Sequence, residues 1–376
     1  MKKPYLTTEW FDEETGAVGY LVIDKMVDGF TAGGIRMREG LTKNEVQRLA
    51  EIMTIKMAGL GMNVGGAKGG INFPSDDPKS KDVLKRYLQA HLPYIKDCWL
   101  TSEDLGTREE DIAAILSQFG VKSTVQAFIS RQENSHQLIQ ALQKAVTATY
   151  DGMKLTDLVT GYGVAIVAMK GLNTLGIDVK DAKISIQGFG SVGASAAKFL
   201  AKNGANIVAV ADVNGTIYCS DGLDIELLLG LKDPRGNISR EGLPDHYEQL
   251  PSEDWLSKEV DVLIPAAIAD VIHENNVSDI NARLIVEAAN IPVTEKAEKV
   301  LFERGILVIP DFIANSGGAG LFVAVLDGGA SGEAEEIFAF LKSQLSKTTK
   351  QILDSALNNK QTPRMAAREL VLSKNK

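Results

Sequence analysis

Residues 183–212 read KISIQGFGSVGASAAKFLAKNGANIVAVAD, and no other stretch limits the fold as strongly. An apolar run, a glycine turn, an alanine-rich stretch of helical spacing and a second apolar run make one strand–helix–strand unit of about 30 residues. Within the turn, Gly188, Phe189, Gly190, Ser191, Val192 and Gly193 form a GxGxxG string. Alone the string says little; between a strand and a helix it has a physical meaning. Gly188 allows the tight turn, Gly190 lets the backbone approach a pyrophosphate, and Gly193 lets the helix pack on the strand. The helix N-terminus then offers free N–H groups and a positive dipole end to phosphates. Asp212, nineteen positions past Gly193, ends the second strand. A carboxylate there can accept both hydroxyls of an adenine ribose and repel a 2′-phosphate, which favours NAD and leaves NADP second. A glycine turn in some other α/β protein, with Asp212 capping a loop, would read the same. No GK[ST] follows, so this is not a nucleotide-hydrolysing P-loop.

Short apolar runs at VDVLIPAA, ARLIVEAAN and ILVIPD continue the alternation, so an α/β fold with a doubly wound parallel sheet is expected. Before it, residues 16–31 alternate like strand material around a turn, and AGGIRMREG is a glycine-marked break. Thr42 and Glu45 form a capping box. Val46, Leu49, Ile52, Met53 and Met57 then keep helical spacing. That helix runs into GMNVGGAKGGINF, read as a glycine-rich loop before a short strand. A helix is expected over residues 80–94, and Thr107/Glu110 is read as a second capping box. The polar, then helical stretch 130–153 is the candidate first crossing between domains. Boundaries are placed at residues 1–135, 136–332 and 333–376, the last a helical segment returning to the first domain.

With 376 residues, 44% hydrophobic and 24% charged, the chain can bury two sizeable cores. Its net charge of −9 repels phosphate backbones, which argues against nucleic acid as a partner. Two cysteines, Cys98 and Cys219, cannot build a disulfide framework or a Cys-rich zinc site, and the four scattered histidines form no HExxH, so no metal is expected. The N-terminus lacks an apolar signal core and no apolar run reaches spanning length, so no membrane partner and a cytoplasmic location are expected.

Three polar residues stand out as chemistry. Lys68 is flanked by four glycines, and a lysine held close to a ligand and buried can lose enough basicity to act near neutral pH. A solvated loop lysine fits the same letters. Lys56 lies late in the first helix, where most lysines are simply solvated. Asp104, in TSEDLGT, is either a helix-initiating turn residue or the carboxylate partner of a base.

GGIRM at 33–37, MTIKMA at 53–58, GGAKGG at 65–70, TSEDLGT at 101–107, TGYGVA at 160–165, the GxGxxG string, EAAN at 287–290 and PDFIANSGG at 310–318 occur in the order seen in the glutamate/leucine/phenylalanine/valine dehydrogenase superfamily. The resemblance runs from about residue 16 to 318. It implies an N-terminal α/β substrate and oligomerisation domain followed by a Rossmann domain, a homo-oligomer, and oxidation of an L-amino acid by NAD to a 2-oxo acid and ammonia. By the same resemblance Lys56 holds the α-carboxylate, Lys68 activates water and Asp104 exchanges protons with the amino group. Ala32, Gly33, Gly34, Met53, Ser102, Asn315 and Phe322 fall in the substrate pocket. Thr160, Ala266 and Asn290 join the GxGxxG residues and Asp212 around the cofactor.

Two positions depart from the glutamate enzymes this chain resembles, which carry a lysine where Ala32 stands and a serine where Phe322 stands. Burying a distal carboxylate without that lysine costs several kcal/mol, on the order of a thousandfold in binding. An uncharged substrate is therefore expected. Arg36 and Arg38 are close enough in sequence to rescue an acid, although a solvated or structural role is the simpler reading. Ser102 is polar where leucine-type pockets are apolar, and Phe322 could be plain core. The stretch 108–159 lacks the family's Gly/Ser-rich loop. Two rivals remain: a glutamate enzyme with an altered distal site, and a non-catalytic homologue that senses NAD or an amino acid.

Overall fold

The computed structural model describes residues 3–374, in two compact units that divide between Gln140 and Ala141. The division falls inside a helix, five residues beyond the expected boundary.

In the first unit, β1 (Leu6–Phe11), β2 (Val18–Ile23), β3 (Thr31–Ala32), β4 (Ile35–Met37), β5 (Gly65–Asn72) and β6 (Trp99–Leu100) form one sheet. Its order is β1-β2-β5-β3-β6, with β4 also pairing on β5. Helix α1 (Lys43–Gly59) covers one face over Val22, Leu41, Val46 and Ala50. The larger core, around Tyr87, Trp99, Ile35 and Ile71, lies under α2 (Ser80–Ala90), α3 (Leu92–Asp97) and α4 (Glu109–Ser117), and α5 (Gln126–Ile129) ends the unit.

This unit departs from the sequence expectations at four places. GGAKGG is not a loop but part of the central strand β5. A Cβ at Gly66 would stand 2.1 Å from the Thr54 nitrogen, and one at Gly70 2.3 Å from Val46 Cγ2. These glycines exist because α1 rides directly on the strand, a close approach no side chain permits. The AGGIRMREG "break" holds the end of β3 and all of β4, with Ile35 opposite Gly69. The helix expected over 80–94 is two, parted at His91, because Pro93 starts a new helix. Thr107 caps nothing: α4 starts at Glu109 behind Arg108, without a side-chain cap.

In the second unit, α6 (Ser135–Thr147), which begins within the first, leads to the hairpin β7 (Thr149–Tyr150)/β8 (Met153–Lys154) and to α7 (Leu155–Thr174). The predicted βαβ unit follows as β9 (Lys183–Gln187), α8 (Ser191–Lys202) and β10 (Asn206–Asp212). Then come β11 (Gly215–Tyr218), α9 (Ile225–Leu231), β12 (Glu248–Leu250), β13 (Val262–Pro265), β14 (Leu284–Val286), α10 (Glu295–Glu303) and β15 (Leu307–Ile309). The sheet order is β12-β11-β10-β9-β13-β14-β15. It is parallel from β10 to β15, but β11 and β12 are antiparallel, since the Val213–Asn214 turn returns the chain from β10 into β11 and β12 pairs on its far edge. Between β9 and β13 the winding reverses, which opens a crevice at the strands' carboxyl ends.

Helices α11 (Asp311–Ala314), α12 (Gly317–Leu326), α13 (Ala334–Asn359) and α14 (Pro363–Lys374) complete the unit. The C-terminal helices do not form a segment of their own: α13 packs along α7 and α14 against β15, because their apolar residues continue the second core. Contrary to the hydropathy reading, α7 is long and apolar enough to cross a membrane, but 67% of that window is buried inside the protein. It is the unit's central helix, crossing β14 and β15 at Gly171.

Candidate functional site

Side chains of a strand alternate between faces, so Lys68 shares its face with Gly66 and Gly70, under α1. It is buried, 6% exposed. Its Nζ lies 3.0 Å from Asp104 Oδ2. The Asp104 turn is tied down by Thr107, whose hydroxyl accepts from the Asp104 N–H at 3.0 Å and donates to the Ile35 carbonyl at 2.7 Å. That is the purpose of the residue misread as a cap.

A third charge is present, for which the sequence suggests a solvated or structural role. Arg36 donates from Nε to the same Asp104 Oδ2 at 2.8 Å, and its NH1 lies 3.3 Å from Glu45. Arg38 pairs with the other Glu45 oxygen. Glu45 therefore gives its backbone N–H to Thr42 at 3.3 Å, as the capping box predicted, but spends its carboxylate on the arginines. Burial would raise the Asp104 carboxyl, yet Lys68 and Arg36 outweigh it and hold it down at about 2. For Lys68 burial wins: the ammonium is disfavoured despite Asp104, and Arg36 adds to the effect. The result is a fixed carboxylate beside a lysine that gives up its proton more readily than usual.

Around this pair the structure gathers several predicted substrate residues. Met53 Cγ is 3.3 Å from where a Gly33 Cβ would be, and Gly34 lies against the Glu103 carbonyl. Ala32 is buried on β3, Ser102 half-buried beside the Asp104 turn, and Lys56 half-buried in the last turn of α1.

In the second unit, Gly188, Phe189 and Gly190 of the GxGxxG string line a cavity of about 510 Å³ with Gln187, Ala266, Asp212, Val213 and Arg235, while Ser191, Val192 and Gly193 begin α8 outside that lining. The string's glycines fit a pyrophosphate. Gly188 has φ +89°, a Cβ at Gly193 would stand 1.9 Å from the Gly188 carbonyl, and a Cβ at Gly190 would meet open space. Gly190 caps α8 without a side-chain hydrogen bond, so the helix N–H groups are not blocked there by a cap. Gln187 Oε1 is buried and accepts no hydrogen bond among the described residues. Phe189, by contrast, turns its ring into the core.

Asp212 stands where expected but in unexpected company. Oδ1 accepts from the Asn214 N–H and Arg240 NH2, both at 2.8 Å. Oδ2 accepts from the Ile238 N–H at 2.7 Å and Arg240 NH1 at 3.0 Å. Two acceptor positions on each oxygen are thus taken, and the side chain is 2% exposed. A carboxylate repels a 2′-phosphate only while it is free, and this one is paired with a guanidinium. Nothing in the local sequence announces Arg240, 28 positions on.

Thr160, half-buried on α7, has its hydroxyl 3.2 Å from where a Gly318 Cβ would be, at the start of α12. Asn315 donates through Nδ2 to Asn290 Oδ1 at 3.0 Å, so the two asparagines form a pair. Phe322 is half-buried on α12.

Two family models match the chain: "Glutamate/Leucine/Phenylalanine/Valine dehydrogenase" over residues 152–374 and "Glu/Leu/Phe/Val dehydrogenase, dimerisation domain" over residues 8–120. The NADP-specific glutamate dehydrogenase of Saccharolobus shibatae is 33% identical over 293 residues, 76% of this chain and 65% of that protein. The catabolic NAD-specific glutamate dehydrogenase RocG of Bacillus subtilis is 31% identical over 351 residues, 90% of this chain and 78% of that one. Among solved structures, the hetero-hexameric glutamate dehydrogenase of Thermus thermophilus in its Leu-bound form matches with a TM-score of 0.74 at 25% identity, covering 99% of this chain and 88% of that one.

Proposed function

The chain belongs to the glutamate/leucine/phenylalanine/valine dehydrogenase family, and on that premise we propose that it is an NAD(P)-dependent amino-acid dehydrogenase, a cytoplasmic homo-oligomer that deaminates an uncharged L-amino acid in preference to glutamate. The observation that carries this reading is the buried Lys68 at 3.0 Å from Asp104. When bound, the nicotinamide supplies the acceptor for the hydride of the substrate α-carbon. Lys56 holds the α-carboxylate. Lys68 in its neutral form removes a proton from water as the water oxygen bonds to the imino carbon. Asp104, having taken a proton from the substrate ammonium group before the hydride leaves, returns it to the amino nitrogen; the hydroxyl proton passes to the freed Asp104 carboxylate as the C=O forms, the C–N bond breaks, and ammonia leaves with a 2-oxo acid. Fixed partners, with no solvent to rearrange, favour both transfers.

Two features support an uncharged substrate. Ala32 offers no cation at the distal end. Arg36 and Arg38, the candidate rescuers, already face Asp104 and Glu45. Both NAD and NADP are accepted in this reading, since relatives of each kind exist and Asp212 is neutralised by Arg240.

The test is nicotinamide absorbance with NAD and with NADP against each standard amino acid. Reduction with leucine, valine, phenylalanine or another uncharged substrate, and little with glutamate, is expected. Glutamate as best substrate would overturn the reading of Ala32 and Phe322.

A further inference from the structure

Behind the Asn290–Asn315 pair lies a buried group of charges that the reaction does not use. Arg364, the second residue of α14, donates from NH2 to Glu287 Oε2 and from Nε to Glu298 Oε2, both at 2.7 Å. Its NH1 lies 3.6 Å from Asp311 Oδ1. The three carboxylates are 0%, 7% and 4% exposed, and Arg364 is the one cation paired with them among the described residues. An apolar core of the same volume would often be as stable, so such a cluster needs another reason to exist.

A reason lies one bond away. Ile291 has φ +50°, a left-handed conformation that a β-branched residue adopts only under constraint. The residue is 44% exposed, so packing does not impose the strain. Hydrogen bonds do: its N–H donates to Asp311 Oδ2 at 3.0 Å, and its carbonyl accepts from the Asp270 N–H at 2.9 Å. Asp311 is fixed in turn. Its N–H donates to Glu287 Oε2 at 2.8 Å, and its Oδ1 accepts from the Phe312 N–H at 2.8 Å and faces Arg364. The Asp311 carbonyl accepts from the Asn315 N–H at 2.8 Å, so the same residue sets both members of the asparagine pair.

We infer that Arg364 is a positioning residue, which through Glu287 and Asp311 holds the strained Asn290–Ile291 turn and so presents Asn290 and Asn315 to the dinucleotide and substrate. This rests on the proposed function. Arg364 acts at a distance from the reacting atoms: its fork fits two carboxylates at once, and a lysine in its place keeps the charge but loses that geometry.

The experiment compares wild type with Arg364→Lys and Asp311→Ala. The second variant cuts the clamp next to Ile291 and leaves Arg364 its other two partners, should the first fail to fold. Three readouts are taken: amide hydrogen exchange of the peptide 288–293, the Kd of NAD by calorimetry, and kcat. Exchange faster by about tenfold is expected, with kcat lowered about tenfold and the NAD Kd within about threefold, because adenosine contacts are untouched. Unchanged exchange overturns the clamp. Faster exchange with unchanged kcat overturns its role in turnover. A wild type that binds NAD but turns over no amino acid overturns the proposed function and this inference with it.

Discussion

Asp104 and Asp212 are both carboxylates held by an arginine, one in each unit, yet they are held differently. Asp104 receives Lys68 and Arg36 on a single oxygen, Oδ2, which leaves Oδ1 without a hydrogen-bond partner among the described residues, and the side chain is 21% exposed. Asp212 has every acceptor position filled and is closed to solvent. An acid that must exchange with a ligand keeps an oxygen open. An acid whose work is to hold a loop does not.

The largest effect expected from this contrast is at Lys68. Lys68→Ala should lower kcat about a thousandfold, since it removes the group that moves the water proton. Calorimetry should show NAD affinity unchanged, because the crevice belongs to the other unit. Turnover close to wild type would leave the Asp104 site as a structural ion pair no different from the Asp212 one.

Arg36→Met should lower kcat about tenfold and move two titrations upward. Without the guanidinium, Lys68 keeps its proton to higher pH, so the rise of kcat/KM with pH begins later. Asp104 also rises from about 2 toward its ordinary 3.8. A carboxyl depressed on folding contributes stability that is complete above the unfolded value and lost as pH falls toward the folded one. Denaturation curves of wild type should lose that stability between about pH 4 and pH 2; in the variant the contribution should be smaller.

Arg240→Ala carries the smallest effect and is the converse test. Freed of its fork, Asp212 should recover the discrimination assumed from sequence. The ratio of NADP to NAD dissociation constants should then rise about threefold. An unchanged ratio would mean that Asp212 does not face the ribose at all.

Much of this was legible in the chain. Periodicity and glycine spacing located β9, α8 and β10 because strand, turn and helix each leave a local mark. Helix α1 was legible for the same reason, down to the Thr42 cap. GGAKGG was misread because glycine clusters usually mark loops; that a helix lies on the strand is a long-range fact. The β10–β11 hairpin carries an Asn214–Gly215 dipeptide at its turn, a mark as local as the glycine string. Arg240 and Arg364 could not have been found: their partners are 28 and 77 positions away, and an arginine's destination has no periodicity. For Arg36 the neighbourhood was visible but its direction was not. Asn290 and Asn315 were named as lining residues, while the charges that seat them went unnoticed.

The glycine strand has a consequence for protein engineering. Because α1 sits on β5 with no room for a methyl group at residues 66 or 70, the base at residue 68 is carried on a mount that mutation cannot adjust. Variation in substrate range then has to come from the rim, at Ala32, Ser102 or Phe322. A library built on those positions can reshape what is oxidised while the proton-transfer apparatus stays in register.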